Sequence, residues 1–177
     1  MATQALAFTI LTAARTGETI GARWSEIDLI KRVWSIPADR SKGGREHRVP
    51  LSDQALAILT TLLGEMGVTP ERNAFVFPGR QPHRGLSNMA MLNTLQRMDR
   101  ADVTTHGFRS TFRVWAAEAT DFPREVAEAA LAHAIADKTE AAYRRTDFFE
   151  KRQRLMARWG DFCANGQGSA DVIPLRR

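Results

Sequence analysis

The stretch Arg32–Ser52, RVWSIPADRSKGGREHRVPLS, decides the architecture. RVWSIP and REHRVPLS read as two strands, and Gly43 and Gly44 in the intervening ADRSKGG mark the turn between them. Ser52 stands where its hydroxyl can cap a helix over DQALAILTTLLGEM. Leu56, Leu59, Leu63 and Met66 keep one face of that helix, and Gly67 stops it. The chain therefore passes from a hairpin directly into helical sequence.

Upstream, ALAFTILTAAR reads as a helix with Leu6, Ile10 and Ala13 or Ala14 at helical spacing. It begins almost at residue 1 with no cap before it, which suggests a piece cut from a longer protein. A short second helix follows over Glu18 to Trp24. Downstream, AFVFPGR reads as a short strand entering a Pro/Gly loop that ends near Gly85. Ser87 can cap NMAMLNTLQRMDR, with Leu92, Leu95 and Met98 inward. Thr105 can cap THGFRSTFRVWAAEA, buried through Phe108, Phe112 and Trp115 or Ala116. Pro123 opens PREVAEAALAH at a position that tolerates proline. DKTEAAYRR reads as a short helix or helical turn. Asp147 and Glu150 resemble a capping box leading into FFEKRQRLMARWGDFC, with Leu155, Trp159 and Phe162 on one stripe. That stripe can pack on its own core or on a neighbouring protomer. No internal repeat is present. The expectation is an α+β chain, mainly helical, with a small antiparallel sheet near its N-terminal third. One domain spans 1–163, and 164–177 forms a flexible polar tail.

Composition narrows the function classes. At 177 residues, 44% hydrophobic and 25% charged, the chain can bury an ordinary core. A single cysteine, Cys163, excludes an internal disulfide framework and a four-cysteine zinc site. No apolar run is long enough to cross a bilayer, and the N-terminus lacks a signal-peptide layout, so a cytoplasmic protein is expected. The net charge of +5 favours an anionic partner. It concentrates in two places. Arg40–Arg48 holds four Lys/Arg against one acid, and Tyr143–Arg158 holds six against two. Such runs are either solvated basic faces or nucleic-acid contacts.

Six side chains could carry chemistry. Tyr143 is the sole tyrosine, set in the small, basic segment LAHAIADKTEAAYRR. His106 and Arg109 lie three apart at a helix start and project from one face, with the phenylalanines pointing away. Arg15 sits in a small-residue context with Glu18 three residues on, Lys42 at the hairpin tip, and His133 at a helix end. Each has an ordinary structural alternative. HxxR can be a solvated face, Arg15–Glu18 an ion pair and Lys42 a solvated ammonium. His133 can be a histidine favoured by the helix dipole, and Tyr143 a half-buried aromatic. Together, however, two arginines, two histidines, a lysine and a lone phenol make a phosphate-handling set. The arginines can fork onto non-bridging oxygens, the lysine or a histidine can protonate a leaving oxygen, and the phenol is a possible nucleophile.

The order of these residues resembles the catalytic domain of tyrosine recombinases, particularly phage and prophage integrases. Arg15 and Glu18 in ARTGE, Lys42 in SKGGREHRVPLS, His106 and Arg109 in HGFR, His133 in LAH and Tyr143 in AAYRR fill the family pattern in sequence. The flanks ARWSEIDL, KRVWSIPA and RLMARW match as well, so the resemblance covers about residues 5 to 162. It implies the tyrosine-recombinase catalytic-domain fold and a site-specific recombinase acting on double-stranded DNA. Tyr143 would form a 3′-phosphotyrosyl link and release a 5′-hydroxyl. Arg15 and Arg109 would hold the non-bridging oxygens, with Lys42 as general acid, His106 as base or proton shuttle, His133 as a further phosphate donor, and Glu18 orienting. No metal, ATP or other cofactor is implied, because arginines take the electrostatic role. Arg40, Arg45, Arg48, Arg144 and Arg145 are the expected DNA contacts. The resemblance also implies a tetramer on DNA in the full-length protein and a nucleoid-associated location in a bacterial or phage-infected cell. The upstream DNA-closing domain of such integrases does not fall within these residues. Two other functions fit the same charges: type IB topoisomerase-like DNA relaxation and a non-catalytic DNA-binding module.

Overall fold

A computed structural model describes residues 1–81, 83–133 and 147–166. In chain order, helices α1 (Ala2–Thr12) and α2 (Thr16–Ile20) precede a 3-10 turn at Trp24–Glu26. Strands β1 (Ile27–Asp28), β2 (Val33–Ile36) and β3 (His47–Pro50) follow. The remaining described helices are α3 (Asp53–Met66), α4 (Ala90–Arg97), α5 (Gly107–Glu118), α6 (Arg124–Ala130) and α7 (Phe149–Asn165). The expected α+β, mainly helical class with a small antiparallel sheet is what the structure shows.

The sheet is a three-stranded antiparallel meander in the order β1-β2-β3. The hairpin expected from Arg32–Ser52 forms, with Trp34 opposite Val49 and Ile36 opposite His47. Period-two alternation buries Trp34 and Ile36, and places His47 on the same side of β3 as buried Val49. Gly44 takes a positive φ of 63° in the connecting turn. The two-residue β1, paired through Ile27 and Trp34, went unread because it is too short to show alternation.

Two apolar clusters fill the interior. The first packs α1, the sheet, α3 and α4 around Phe8, Trp34, Leu59, Phe77 and Met91. The second packs α5, α6 and α7 around Phe112, Leu131, Leu155, Met156 and Trp159. Phe112 meets Trp159 edge-on at 5.4 Å between centroids. The clusters join at the end of α1, where Ala13 belongs to the second and Ala14 to the first. Trp159 fastens this seam by donating its indole N–H to the Ile10 carbonyl at 2.8 Å.

Several element ends differ from expectation. AFVFPGR forms isolated bridges, Arg23 with Phe75 and Pro78 with Gly85, and no strand. Its proline and glycine interrupt the ladder. The second helix ends at Ile20, and Trp24 lies in the following turn. Ser52 caps α3 as expected, accepting from the Ala55 N–H at 3.3 Å, and Gly67 ends it in the left-handed region. The α3 stripe is rotated, however: Ala55, Leu59 and Leu62 are buried, and Met66 is exposed. On α4, Met91, Thr94 and Leu95 turn inward, Met98 is exposed, and Ser87 holds Ala90 N–H through its backbone carbonyl only. Thr104, one residue before the expected cap, receives the Gly107 N–H at 3.1 Å. Pro123 is the N-cap of α6 itself. At α7 the Asp147 carboxylate accepts from Phe149 N–H at 3.2 Å, and its other bonds go to Arg48 and Arg152. The box with Glu150 is thereby replaced. The α7 stripe is as read, with Leu155 and Trp159 buried and Phe162 half-buried. Residues 167–177 of the expected tail lie outside the described residues.

Gly160 marks the closest approach of α7 to α3. A methyl there would collide with Gln54 Oε1 and lie 2.7 Å from Ser52 Oγ, the cap of α3. Gly160→Ala is expected to lower stability by about 1–3 kcal/mol despite alanine's better helix propensity. Urea unfolding, with the midpoint falling at unchanged slope, checks this.

Candidate active site

The site is built on the C-terminal ends of two helices. α1 stops at Ala13, which adopts φ 49° and returns its N–H to the Ile10 carbonyl. α6 stops at Leu131, with Ala132 at φ 50°. Ala132 N–H bonds the Ala129 carbonyl at 3.2 Å and His133 N–H bonds the Glu128 carbonyl at 3.0 Å, the pattern of a Schellman cap. The cap satisfies those two carbonyls and leaves Ala130, Leu131 and Ala132 to be satisfied by side chains.

Arg109 fills that need first. It projects from α5 on the same buried face as Phe112 and Ala116, three and seven positions on, so one helix face carries both the guanidinium and the core. The expectation that the phenylalanines point away from Arg109 therefore fails for Phe112. One Nη of Arg109 donates to the Ala13 carbonyl, and the other to the Leu131 carbonyl at 2.6 Å. Its cation thus spans two helix C-termini, each the negative end of a dipole. Burial pushes its pKa down to about 10, and the Arg15 charge adds to this while Glu18 opposes it. It remains protonated at neutral pH.

Arg15 approaches the same place from the N-cap of α2. Glu18 binds it twice, Oε1 accepting from the guanidinium and Oε2 from the Arg15 backbone N–H, both at 2.9 Å. The second Arg15 Nη lies 3.4 Å from the Leu131 and Ala132 carbonyls. Both arginines therefore converge on Leu131. His133 completes the cluster. Its Nδ1 is 2.5 Å from Glu128 Oε2, and its Nε2 faces an Arg109 Nη at 3.4 Å. Glu128 also binds Arg113 at 2.6 Å. Partial burial opposes its charge, but the bonds from Arg113 and His133 outweigh this and keep its carboxyl below the usual range.

Other expected residues are placed less centrally. His106 is exposed at the N-cap of α5, and Lys42 is exposed in the hairpin turn. Arg45 is also exposed there. Arg40 turns inward to Glu26 and the Glu18 carbonyl. Arg48 pairs with Asp147 at 2.7 Å and covers the Phe149 ring. Tyr143, Arg144 and Arg145 lie outside the described residues. A separate wide cleft of about 1130 Å³ carries Arg80, Arg84 and Arg97 on its walls.

Three participants escaped the sequence reading. Glu128 sits five residues before His133, a spacing that only the capped helix end brings together. Arg152, buried on α7, binds Asp147 Oδ2 at 2.8 Å and the Arg48 carbonyl at 2.5 Å. His47 lies half-buried on the inward side of β3, opposite Ile36. Burial pushes its pKa down to about 4, and the charges of Arg152 and Arg15 add to that, while Glu18 and a bond with the Ala130 backbone oppose it. Alternation along HRVP, which puts His47 beside Val49, was the signal available.

The sequence profile described as the phage integrase family matches residues 2–150. The chain belongs to that family of tyrosine recombinases. It is 38% identical to the prophage integrase IntA of Escherichia coli (strain K12) over 93% of this chain and 39% of that protein. It is 31% identical to the integrase of Shigella phage Sf6 over 85% of this chain and 39% of that one. The chain thus spans about two-fifths of these relatives. The integrase from mycobacterium phage Brujita shares the fold at a TM-score of 0.66 and 21% identity, over 89% of this chain and 51% of that one. Among the described residues, no helix is long and apolar enough to cross a membrane.

The depressed His47 pKa makes a prediction of definite sign. Between about pH 6.5 and pH 4 the unfolded chain binds this proton and the folded chain does not, so stability falls as pH falls through that window. The expected loss is on the order of 2 kcal/mol. It should shrink in His47→Gln, as read from urea midpoints at pH 7 and pH 4.5.

Proposed function

We propose that this chain is the catalytic domain of a site-specific DNA recombinase that cuts and rejoins strands through a phosphotyrosine. The observation that carries the proposal is the convergence of Arg15 and Arg109 on the Leu131 carbonyl, with His133 beside them. Two guanidiniums and an imidazole at one point form a pocket of donors suited to a phosphodiester.

In this reading each residue has a role. Arg109, anchored at two carbonyls, fixes one side of the phosphate. Arg15, oriented by Glu18 and held otherwise by long contacts, turns its outer Nη onto a non-bridging oxygen. His133 adds a donor, Lys42 gives a proton to the leaving 5′-oxygen, and His106 serves as base or proton shuttle. Tyr143 attacks the phosphorus: its oxygen gains the P–O bond, the 5′-oxygen leaves with a proton, and a 3′-phosphotyrosine results. A 5′-hydroxyl from a second duplex reverses these steps, so the bond energy is kept and no ATP is consumed. An unperturbed phenol is about one part in a thousand ionised at neutral pH, a handicap of roughly 4 kcal/mol that the cationic pocket must offset.

Chain connectivity supports Tyr143 as the nucleophile. The described residues stop at His133, beside the two arginines, and resume at Asp147, which Arg48 and Arg152 both hold. Tyr143 is four residues from that anchor, a span of at most about 14 Å. Arg45 and Arg48, together with Arg144, Arg145 and the basic cleft around Arg80 and Arg84, supply DNA phosphate contacts. Arg40, occupied by Glu26, contributes less. Assembly as a tetramer on DNA in the cytoplasm of a bacterial or phage-infected cell belongs to the same proposal.

A duplex nicked next to the cleavage site traps the intermediate, because the short cleaved strand diffuses away. In EDTA the wild-type chain is expected to give a covalent adduct and Tyr143→Phe none. An adduct in the variant would mean another nucleophile, and a need for metal would mean a nuclease. Binding without any adduct would leave a DNA-binding module, and relaxation of supercoils without a second site would favour a topoisomerase. Arg45→Glu is expected to weaken DNA binding and lower the salt slope of log affinity by about one to two. Filter binding across a salt series reads this directly.

A further inference from the structure

We propose that Arg40 is a positioning residue that anchors the turn carrying Lys42 onto α2, the helix whose Glu18 holds Arg15. The anchor stands on contacts. Its part in catalysis rests on the reading above, in which Lys42 gives a proton to the leaving 5′-oxygen.

Arg40 lies two residues before Lys42 in the connection from β2 to β3, so their Cα atoms are at most about 7 Å apart. The backbone between Pro37 and Gly44 is tightly turned. The Arg40 and Ser41 N–H groups both donate to the Pro37 carbonyl, at 3.1 and 3.0 Å, and the Gly44 N–H donates to the Ser41 carbonyl at 3.0 Å. Lys42 is exposed on this turn, whereas the Arg40 side chain runs into the protein. One Arg40 Nη reaches the Glu18 carbonyl at 3.4 Å, and the other binds Glu26 Oε2. That oxygen is fixed in turn, accepting from the Trp34 indole N–H at 3.0 Å and the Arg23 backbone N–H at 3.3 Å. The Glu18 side chain takes both the guanidinium and the backbone N–H of Arg15. A single guanidinium therefore joins the Lys42 turn to the residue that holds Arg15.

Gly21 shows independently that this guanidinium is seated against α2. Its backbone is ordinary, at φ −92° and ψ −2°, so its conformation does not require glycine. A Cβ there would collide with Arg40 Nη1, however, and lie 3.1 Å from the Gly17 carbonyl. The end of α2 thus leaves open the space that Arg40 occupies. The ion pair itself is a poor source of stability. The Arg40 and Glu26 side chains are only 23% and 9% exposed, and Arg40 Nε meets no acceptor among the described residues. Desolvation of such a pair offsets most of the attraction between its charges. What the pair supplies is a fixed relation between a proton donor and a phosphate-binding arginine.

Two readouts test this. Amide hydrogen exchange without DNA reads the anchor. Gly21→Ala keeps every charge and displaces the guanidinium. Arg40→Met removes the donors, and Arg40→Met combined with Glu26→Gln does so without leaving a buried carboxylate uncompensated. Each protein is expected to exchange at least about tenfold faster at the amides of positions 40, 41 and 44, while the α3 amides keep their rates. The second readout is adduct formation in EDTA on the nicked duplex, made with either oxygen or sulfur bridging phosphorus to the 5′-carbon at the cleaved bond. In both duplexes the Tyr143 oxygen gains the bond to phosphorus. The sulfur leaves with its electron pair as a thiolate and needs no proton, so a fault in proton delivery vanishes. On the oxygen duplex all three proteins, like Lys42→Ala, are expected to react at least about tenfold more slowly than wild type, and on the sulfur duplex within about threefold of it. Unchanged exchange, or exchange quickened equally in α3, overturns the anchor. Wild-type rates on the oxygen duplex, or equal slowing on both duplexes, overturn the action through Lys42. If wild type forms no adduct on either duplex, the strand-transfer reading fails, the catalytic role of Arg40 falls with it, and exchange alone decides the anchor. If wild type forms the adduct and exchange in the variants is unchanged, the anchor fails and that reading stands.

Discussion

A buried guanidinium must have acceptors in fixed positions, and in this fold the acceptors are the spare carbonyls at two helix ends. α1 stops on Ala13 in the left-handed region and α6, ending at Leu131, is followed by left-handed Ala132, so the chain turns sharply at both ends. Arg109 bridges the two ends through Ala13 and Leu131. Those bonds fasten the end of α1 to the end of α6, both at residues of the second apolar cluster, so the charge that would hold a phosphate also ties α1 to that cluster. Replacing Arg109 would leave the Ala13 carbonyl without a partner, at about 1–3 kcal/mol, and the Leu131 carbonyl with only the long Arg15 contact, in addition to losing the cation. Stability and anion binding are therefore not separable at this residue.

The left-handed alanines show how tightly this is constrained. Such a backbone costs about 1 kcal/mol or more in any residue but glycine, and glycine is the usual choice there. Ala13 is fully buried in the second cluster, to which Phe112 and Trp159 also belong. The packing offsets the strain and limits the conformations open to the carbonyl that Arg109 uses. Ala132 sits between Leu131 and His133 at the corresponding place, so a rigid corner precedes the segment leading to Tyr143.

Much of this was legible in the sequence, for reasons that differ by residue. The hairpin was readable because Gly43 and Gly44 separate two strand-like runs, and the Ser52 cap because a hydroxyl directly precedes an apolar periodicity. Arg15, Glu18, Arg109 and His133 were found through their local settings and the order that matches the family. His47, Glu128 and Arg152 were not, because their importance is entirely tertiary. His47 becomes half-buried only when the hairpin packs, Glu128 becomes a partner only when the Schellman cap folds His133 back, and Arg152 looks like one of many basic residues on α7. The inward turn of Arg40 was likewise hidden, since its partner Glu26 lies across the hairpin. The rotated stripe of α3 has a simpler cause: Leu62 and Leu63 are adjacent, and periodicity alone does not choose between them.

The two arginines divide the work by how firmly each is held. Arg109 has a 2.6 Å bond to Leu131 and a second carbonyl at Ala13, and it is almost wholly buried. Moving it would break two charge-assisted bonds. Arg15 is one-fifth exposed and reaches Leu131 and Ala132 only at 3.4 Å, the outer limit of a hydrogen bond. Its strong contacts are with Glu18, from the opposite side. An arriving oxyanion therefore competes with weak contacts at Arg15 and with strong ones at Arg109. Arg15 can rotate its outer edge onto the anion while Glu18 keeps its charge in place, whereas Arg109 must offer the N–H groups its carbonyls leave over. In the proposed site, one guanidinium would set the position of the pocket and the other would adjust to what occupies it. Glu18 makes that possible by holding Arg15 without filling its outward donors.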